Sequence, residues 1–337
     1  MHMKALLSRL NIDPYIGAIV GMVGLATLLP VHGAGAVAAG YATNAAIAVL
    51  FFLHGAKLEP RAALAGARHW RLHTVVLLST FVLFPLLGLT ARAVAPSLLP
   101  PTLWAGLLLL CVLPSTVQSS IAFTSIARGN VPAALCAATA SNLLGMALTP
   151  LLAGLLLHTH GGFSASAVGD IALQLLLPFL AGQLSRPWIG AWAARNRRLL
   201  GLVDRGSILL VVYVAFSDGV TQGIWHQLDA TSLGTLLLVD AGLLAAVLAL
   251  TTLASRVLGF ARKDEIVAVF CGSKKSLASG LPMATVLLAG QSAGLIVLPL
   301  MLFHQIQLMA CAAMARRYAG RAEAADRALL GLPIEAR

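Results

Sequence analysis

The sequence predicts an all-α integral membrane protein of ten transmembrane helices, arranged as two inverted five-helix repeats with the fourth helix of each repeat broken. Three observations predict it: a composition too apolar for a water-exposed surface, ten apolar runs of spanning length, and basic residues gathered on one side of those runs. Of 337 residues, 59% are hydrophobic and only 10% are charged, where soluble domains carry about 25% charged residues. That composition excludes most soluble enzymes. The formal net charge of +11 does not indicate nucleic-acid binding, because most of the basic residues lie between apolar runs.

A hydrocarbon core about 30 Å thick requires about 20 apolar residues of helix. Such runs fall at roughly 15–30, 36–56, 72–93, 102–126, 131–157, 167–185, 206–225, 232–255, 265–289 and 293–315. Met1 to Asp13, with Lys4 and Arg9, lacks a convincing small-residue cleavage site and reads as a short cytoplasmic lead-in. Turn and breaker residues separate the runs: Pro30 with His32 and Gly33, Glu59 with Pro60, and Pro96 with Pro100 and Pro101. Arg128 to Asn130, His160 to Gly162, and Arg186 with Pro187 continue the series.

Lys4, Arg9, Lys57, Arg61, Arg68, Arg71, Arg128 and the arginines at 186, 195, 197, 198 and 205 fall on one side of this ten-span scheme. Arg256, Arg262, Lys263 and the tail arginines at 316, 317, 321, 327 and 337 join them, against Arg92 alone on the other side. Basic residues collect in the cytoplasm. Both termini are therefore placed there.

Lys274 and Lys275 fit neither side. They lie about ten residues into the ninth span, hence about 15 Å deep at 1.5 Å per residue. A charge at that depth costs at least about 2.5–3.5 kcal/mol on insertion scales, and a lysine stem snorkels only partway to the interface.

Division near His160 gives a first repeat over 15–157 and a second over 167–315, followed by a cytoplasmic tail over 316–337. Five spans per half make the second half enter the membrane in the opposite sense, as in inverted-repeat secondary transporters. The fourth span carries Pro114, Ser115, Thr116, Gln118, Ser119 and Ser120; the ninth carries Gly272, Ser273, Lys274, Lys275, Ser276 and Pro282. Proline removes a backbone donor, and unwound backbone survives at membrane depth only inside protein or along a cavity. Matching interruptions in both halves point to a binding site.

Depth places other polar groups near this level: Thr139, Ser141 and Asn142 in span five, Asp218 in span seven, Asp240 in span eight, and His304 and Gln305 in span ten. Such a layer can bind an anion through either lysine, or a small cation through oxygens of Ser119, Ser120, Thr139, Ser141 and Asn142. It can also relay protons between a lysine and Asp240 or His304. The bland readings are a structural Lys–Asp pair, serines bonded within their own helices, and Gly17 with Gly21 as a packing surface. Cys111, Cys136, Cys271 and Cys311 are scattered in apolar stretches and read as buried free thiols, with neither disulfides nor structural zinc.

The run PSTVQSSIAFTSIARGNVPAALCAATASNLLGMALTP at 114–150 resembles the fourth and fifth helices of the bile acid:sodium symporter family, and most closely its SBF-like branch. FFLHGAKL at 51–58, RHWRLH at 68–73, FVLFPLLGL at 81–89 and FCGSKKSLASGLPM at 270–283 are similar to the same branch. The resemblance implies a panel domain from helices 1, 2, 6 and 7 and a core domain from helices 3, 4, 5, 8, 9 and 10, with helices 4 and 9 crossing. It implies an integral protein of a plasma membrane, of bacterial inner-membrane type, carrying a small organic anion.

For sodium-coupled members the resemblance implies cation ligands at Ser119 and Ser120, and at Thr139, Ser141 and Asn142. It also implies an acidic residue near position 270, where this sequence has Phe270, followed by Gly272 to Ser276 in place of an amide-bearing segment. A lysine ammonium there repels Na⁺, so Lys274 or Lys275 is read as a tethered cation and transport as sodium-independent or proton-linked. No other cofactor is expected. Two alternatives of another class are a non-transporting regulatory membrane protein and a membrane-embedded hydrolase using Ser273 and Lys274. Neighbouring helical side chains do not face each other, which argues against the second.

Overall fold

The computed structural model describes residues 14–57, 69–157, 165–221, 223, 229–287 and 293–329, and among them every regular element is helical. The lead-in with Lys4 and Arg9, Arg61 and Arg68, the division at His160 to Gly162, and Arg337 lie outside the described residues. α1 (Pro14–Leu28) and α2 (Gly33–Lys57) come first. α3 (Trp70–Leu78), a π-helical turn (Ser79–Leu83) and α4 (Phe84–Val94) form one continuous rod. α5 (Pro101–Val112), α6 (Val117–Ile126), α7 (Val131–Leu156) and α8 (Ala165–Arg195) follow. The chain continues through α9 (Arg197–Thr221), α10 (Ala230–Val257), α11 (Arg262–Gly272), α12 (Leu277–Leu287) and α13 (Ala293–Leu329).

Among the described residues, six helices are long and apolar enough to cross a bilayer, or seven when α5 and α6 are taken as one bent span. Their outer faces carry large apolar side chains: Leu28, Trp188, Leu238 and Val257 are each at least 75% exposed. Lipid covers such faces, and the chain is an integral membrane protein. Inside, one apolar cluster runs from Ile19 and Phe51 through Leu107 to Leu281 and Phe303.

Helices outlast the apolar runs that announce them. α8 continues past Pro187 to Arg195 and α9 starts at Arg197, so most of the segment read as a loop is helix. α13 likewise carries residues 316–329, read as a tail, in helical form. Ala, Arg and Leu sustain a helix whether or not lipid surrounds it, so span length and helix length differ.

Within this chain Gly17 and Gly21 do not serve as the close-packing surface read from their spacing. A Cβ at either would meet nothing within 4 Å, because α1 packs through Ile19 and Ala26 instead. Close approach occurs between α2 and α8. A Cβ on Gly55 would strike the Phe179 carbonyl, and one on Gly182 the Phe52 carbonyl; glycine at both positions lets the two backbones touch.

Candidate functional site

Two four-residue gaps, 113–116 between α5 and α6 and 273–276 between α11 and α12, lie against one another. α5 and α6 meet at 64°. A helix end leaves its last four carbonyls without intrahelical donors, and at this depth each must find a partner within the protein. α11 satisfies all four. Val269 accepts from the Ser273 N–H and hydroxyl, Phe270 from Ser120 Oγ at 3.2 Å, Cys271 from Ser115 Oγ at 2.6 Å, and Gly272 from Ser79 Oγ at 2.9 Å. At the end of α5, Thr149 Oγ1 donates to the Val112 carbonyl at 2.8 Å, and Lys275 Nζ to that of Cys111 at 2.7 Å.

The gaps also bond each other directly. Ser276 N–H donates to the Pro114 carbonyl at 2.9 Å, and Thr116 Oγ1 to the Lys275 carbonyl at 2.9 Å. From α7, Ser141 Oγ accepts the Ser115 N–H at 3.0 Å while Asn142 Nδ2 donates to the Ser115 carbonyl at 2.6 Å. From α13, Gln307 accepts the Lys275 N–H and donates to the Lys275 carbonyl, both at 2.9 Å. Each gap is thus held by amide and hydroxyl side chains of the helix that follows it or lies next but one in the chain.

Both lysines are wholly buried, at 0% exposure, yet their surroundings differ. Lys275 Nζ donates to the carbonyls of Thr80, Cys111 and Leu113 at 2.8, 2.7 and 2.8 Å and lies 4.1 Å from the Phe84 ring centroid. Lys274 Nζ has no hydrogen-bond partner and sits 4.0 Å over the Phe123 ring and 5.5 Å from that of Phe270. Phe270, standing where an acid was expected from the resemblance, therefore stacks on a lysine.

The residues singled out as charge partners do not reach either ammonium. Asp240 is fully buried on α10 with both carboxylate oxygens unpartnered, and no ion pair joins it to a lysine. Asp218 is half-buried on α9, and its carbonyl accepts from Thr221. His304 Nδ1 pairs with Gln307 Nε2 at 2.8 Å. Gln305 is half-buried and makes none of these contacts; Gln307, two positions on, is the amide that enters the gap. Depth alone did not choose between them, since glutamines two apart in a helix point to different sides. Ser79, Thr80 and Thr149 were also missed, and the signal available for Thr80 was Pro85, five residues ahead. Ser273 Oγ donates to its own helix at Val269 rather than to Lys274, so the serine–lysine pair of a hydrolase is not formed. All four cysteines are buried thiols outside any disulfide.

The oxygens considered for sodium are mostly engaged. Ser120 bonds the Phe270 carbonyl in the last turn of α11 and Ser141 the gap backbone at Ser115, Asn142 turns its NH₂ group towards Ser115 and its Oδ1 accepts from Ser279, and Thr139 is buried on α7. Ser119 Oγ is buried without a partner. No carboxylate stands among these oxygens, and the Lys275 ammonium already occupies the carbonyls of Cys111 and Leu113 beside them.

A cavity of about 760 Å³ reaches Gln118, in the first turn of α6, from between α2, α8 and α9. Gln183, Arg186 and the ion pair Lys57–Asp204, 2.6 Å long, line its other walls. Thr116, the N-cap residue of α6, makes no side-chain cap, and Gln118 of the same first turn lines the cavity.

Residues 13–320 match the model of the SBF-like CPA transporter family. The chain is 55% identical over 323 residues to a protein of Pseudomonas aeruginosa described as uncharacterized, covering 95% of this chain and 97% of that one. It is 52% identical over 313 residues to YfeH of Escherichia coli (strain K12), provisionally named a symporter, with 93% and 94% of the two chains covered. It is 29% identical over 313 residues to sodium/bile acid cotransporter 7 of Xenopus tropicalis, with 90% and 91% covered. A membrane-embedded helical protein with two facing breaks, matched over nearly its whole length, is thereby placed: the chain belongs to the SBF-like CPA transporter family, and it is a transporter and not an enzyme.

Proposed function

We propose that the protein is a secondary transporter of a small organic anion, working by alternating access between two groups of helices built as inverted five-helix repeats. The observation that carries this reading is the pairing of the two gaps. Each interrupts the fourth span of its half, and each is held by side chains of the fifth, Ser141 and Asn142 in one and Gln307 in the other. That correspondence supports a ten-span inverted repeat. The cavity supports a solute path between α2, α8 and α9 on one side and the broken span on the other, and its volume lies within the range of about 300–1,000 Å³ usual for small-molecule sites. The uncapped α6 terminus and Arg186 favour an anion there.

Contacts at one end of the bundle support cytoplasmic termini, and the relatives in Pseudomonas aeruginosa and Escherichia coli support a bacterial inner membrane. Arg71 donates to the Leu258 carbonyl, Arg128 pairs with Glu323, and Asn130 bonds Lys263 and Asp264, which brings four loop or tail segments predicted on one side together at one end of the bundle. The buried ammonium groups support transport without sodium. Thermal-shift screening of organic anions, beginning with a bile acid because a relative is named for it, identifies a ligand with and without Na⁺. Uptake of that ligand into vesicles then persists when choline replaces Na⁺. Collapse of uptake in choline rejects sodium independence; stabilisation without any uptake rejects the carrier and favours a regulatory protein.

A further inference from the structure

We propose that the Lys275 ammonium is the fixed occupant of a monovalent-cation site, built from the carbonyls of Thr80, Cys111 and Leu113 and the face of Phe84. The proposal deepens the transporter reading by saying what stands in place of a coupling ion, and it separates Lys275 from Lys274.

Three unrelated local devices free these carbonyls. In a regular helix the Thr80 carbonyl would accept from the N–H of Phe84; within the π turn that N–H goes to Ser79 instead, and Pro85, next in line, has no N–H. The Cys111 carbonyl would accept from Ser115, whose N–H is diverted to Ser141 Oγ. Leu113 sits in the extended gap, with ψ at 153°. A π turn followed by proline, a diverted serine and a helix break thus leave three orphan carbonyls, two of them at the negative end of the α5 dipole.

An ammonium carries three donors and no acceptor. Lys275 uses one donor on each carbonyl, at 2.7–2.8 Å, the range of charge-assisted bonds. The Phe84 ring, 4.1 Å away, closes the remaining side with the negative face that attracts cations. A neutral amine would turn a lone pair on one of the three oxygens. Among the described residues no carboxylate forms an ion pair with Lys275, and the buried acid Asp240 has unpartnered oxygens; the three carbonyls and the ring alone face the single positive charge. Lys274 has rings beneath it and no acceptors, and does not fill such a cage.

The test uses the full-length protein in detergent. Lys275→Ala deletes three methylenes and the ammonium, which propylammonium restores and propanol restores without the charge. The melting temperature of Lys275→Ala should fall below wild type, and rise saturably with propylammonium by about threefold more than with equimolar propanol or choline, while wild type responds to none. Ammonium and potassium should act weakly in the same direction. If Lys275→Ala yields too little protein to melt, the amount of folded protein recovered in the same solutes is compared instead. Lys275→Gln, which keeps donors but no charge, should remain destabilised. Equal responses to propylammonium and propanol, or wild-type stability of Lys275→Gln, overturn the proposal. Because the readout is stability, it can fail while the carrier reading, which rests on uptake, stands.

Discussion

Replacing Gln307 by Met removes the amide that brackets the second gap while nearly preserving side-chain volume. Gln307 is fully buried and bonds both the N–H and the carbonyl of Lys275 at 2.9 Å. The N–H has no other partner and becomes an orphan, which costs about 1–3 kcal/mol. The carbonyl keeps its bond from Thr116 Oγ1, so the second loss is smaller, and the expected total is about 2–3 kcal/mol. Reversible unfolding in mixed micelles measures it. Gln305→Met, on the same helix and half-buried, should stay within about 0.5 kcal/mol of wild type. Thr116→Val alone should cost about 1 kcal/mol, but combined with Gln307→Met it strips the Lys275 carbonyl of both donors. The double variant should therefore exceed the sum of the singles by about 1 kcal/mol. Equal effects of the two glutamine variants, or strict additivity in the cycle, would refute this account of the gap.

Two further outcomes follow from the structure. Gly182→Ala should destabilise the contact of α2 with α8 more than Gly17→Ala destabilises anything, since the first places a methyl on the Phe52 carbonyl and the second meets open space; paired melting curves decide it, and equal losses would reject the close-packing assignment. Asp229 caps α10 by accepting the Ser232 N–H at 2.9 Å, and the Ser232 hydroxyl first, with that N–H second, holds its carboxyl below the ordinary 3.8. Its contribution to stability is then fully present above pH 3.8 and lost as pH falls through the lower folded-state value. Asp229→Ala should flatten that acid limb of the melting profile, and an unchanged limb would show that the cap carries no proton linkage.

Membrane residence, helical class and the position of both breaks were legible in the sequence, because each depends on local chemistry. Apolar run length is counted along the chain, Pro114 disrupts its own helix, and two lysines far from either end of an apolar run announce a polar interior whatever surrounds them. The family was legible for the same reason, in contiguous motifs about the breaks. Partner choice was not. The Lys275 cage takes Thr80 from 195 positions away and Cys111 from 164, and nothing local says that Gln307 rather than Gln305 faces it. Depth along a helix axis follows from counting residues, but which side a residue presents, and to which neighbour, is set by helix rotation and packing. Tertiary structure alone therefore decided that Lys275 is held by three carbonyls, that Lys274 rests on two rings, and that Asp240 pairs with neither, because the alignment of carbonyls freed in separate helices exists only once those helices have packed.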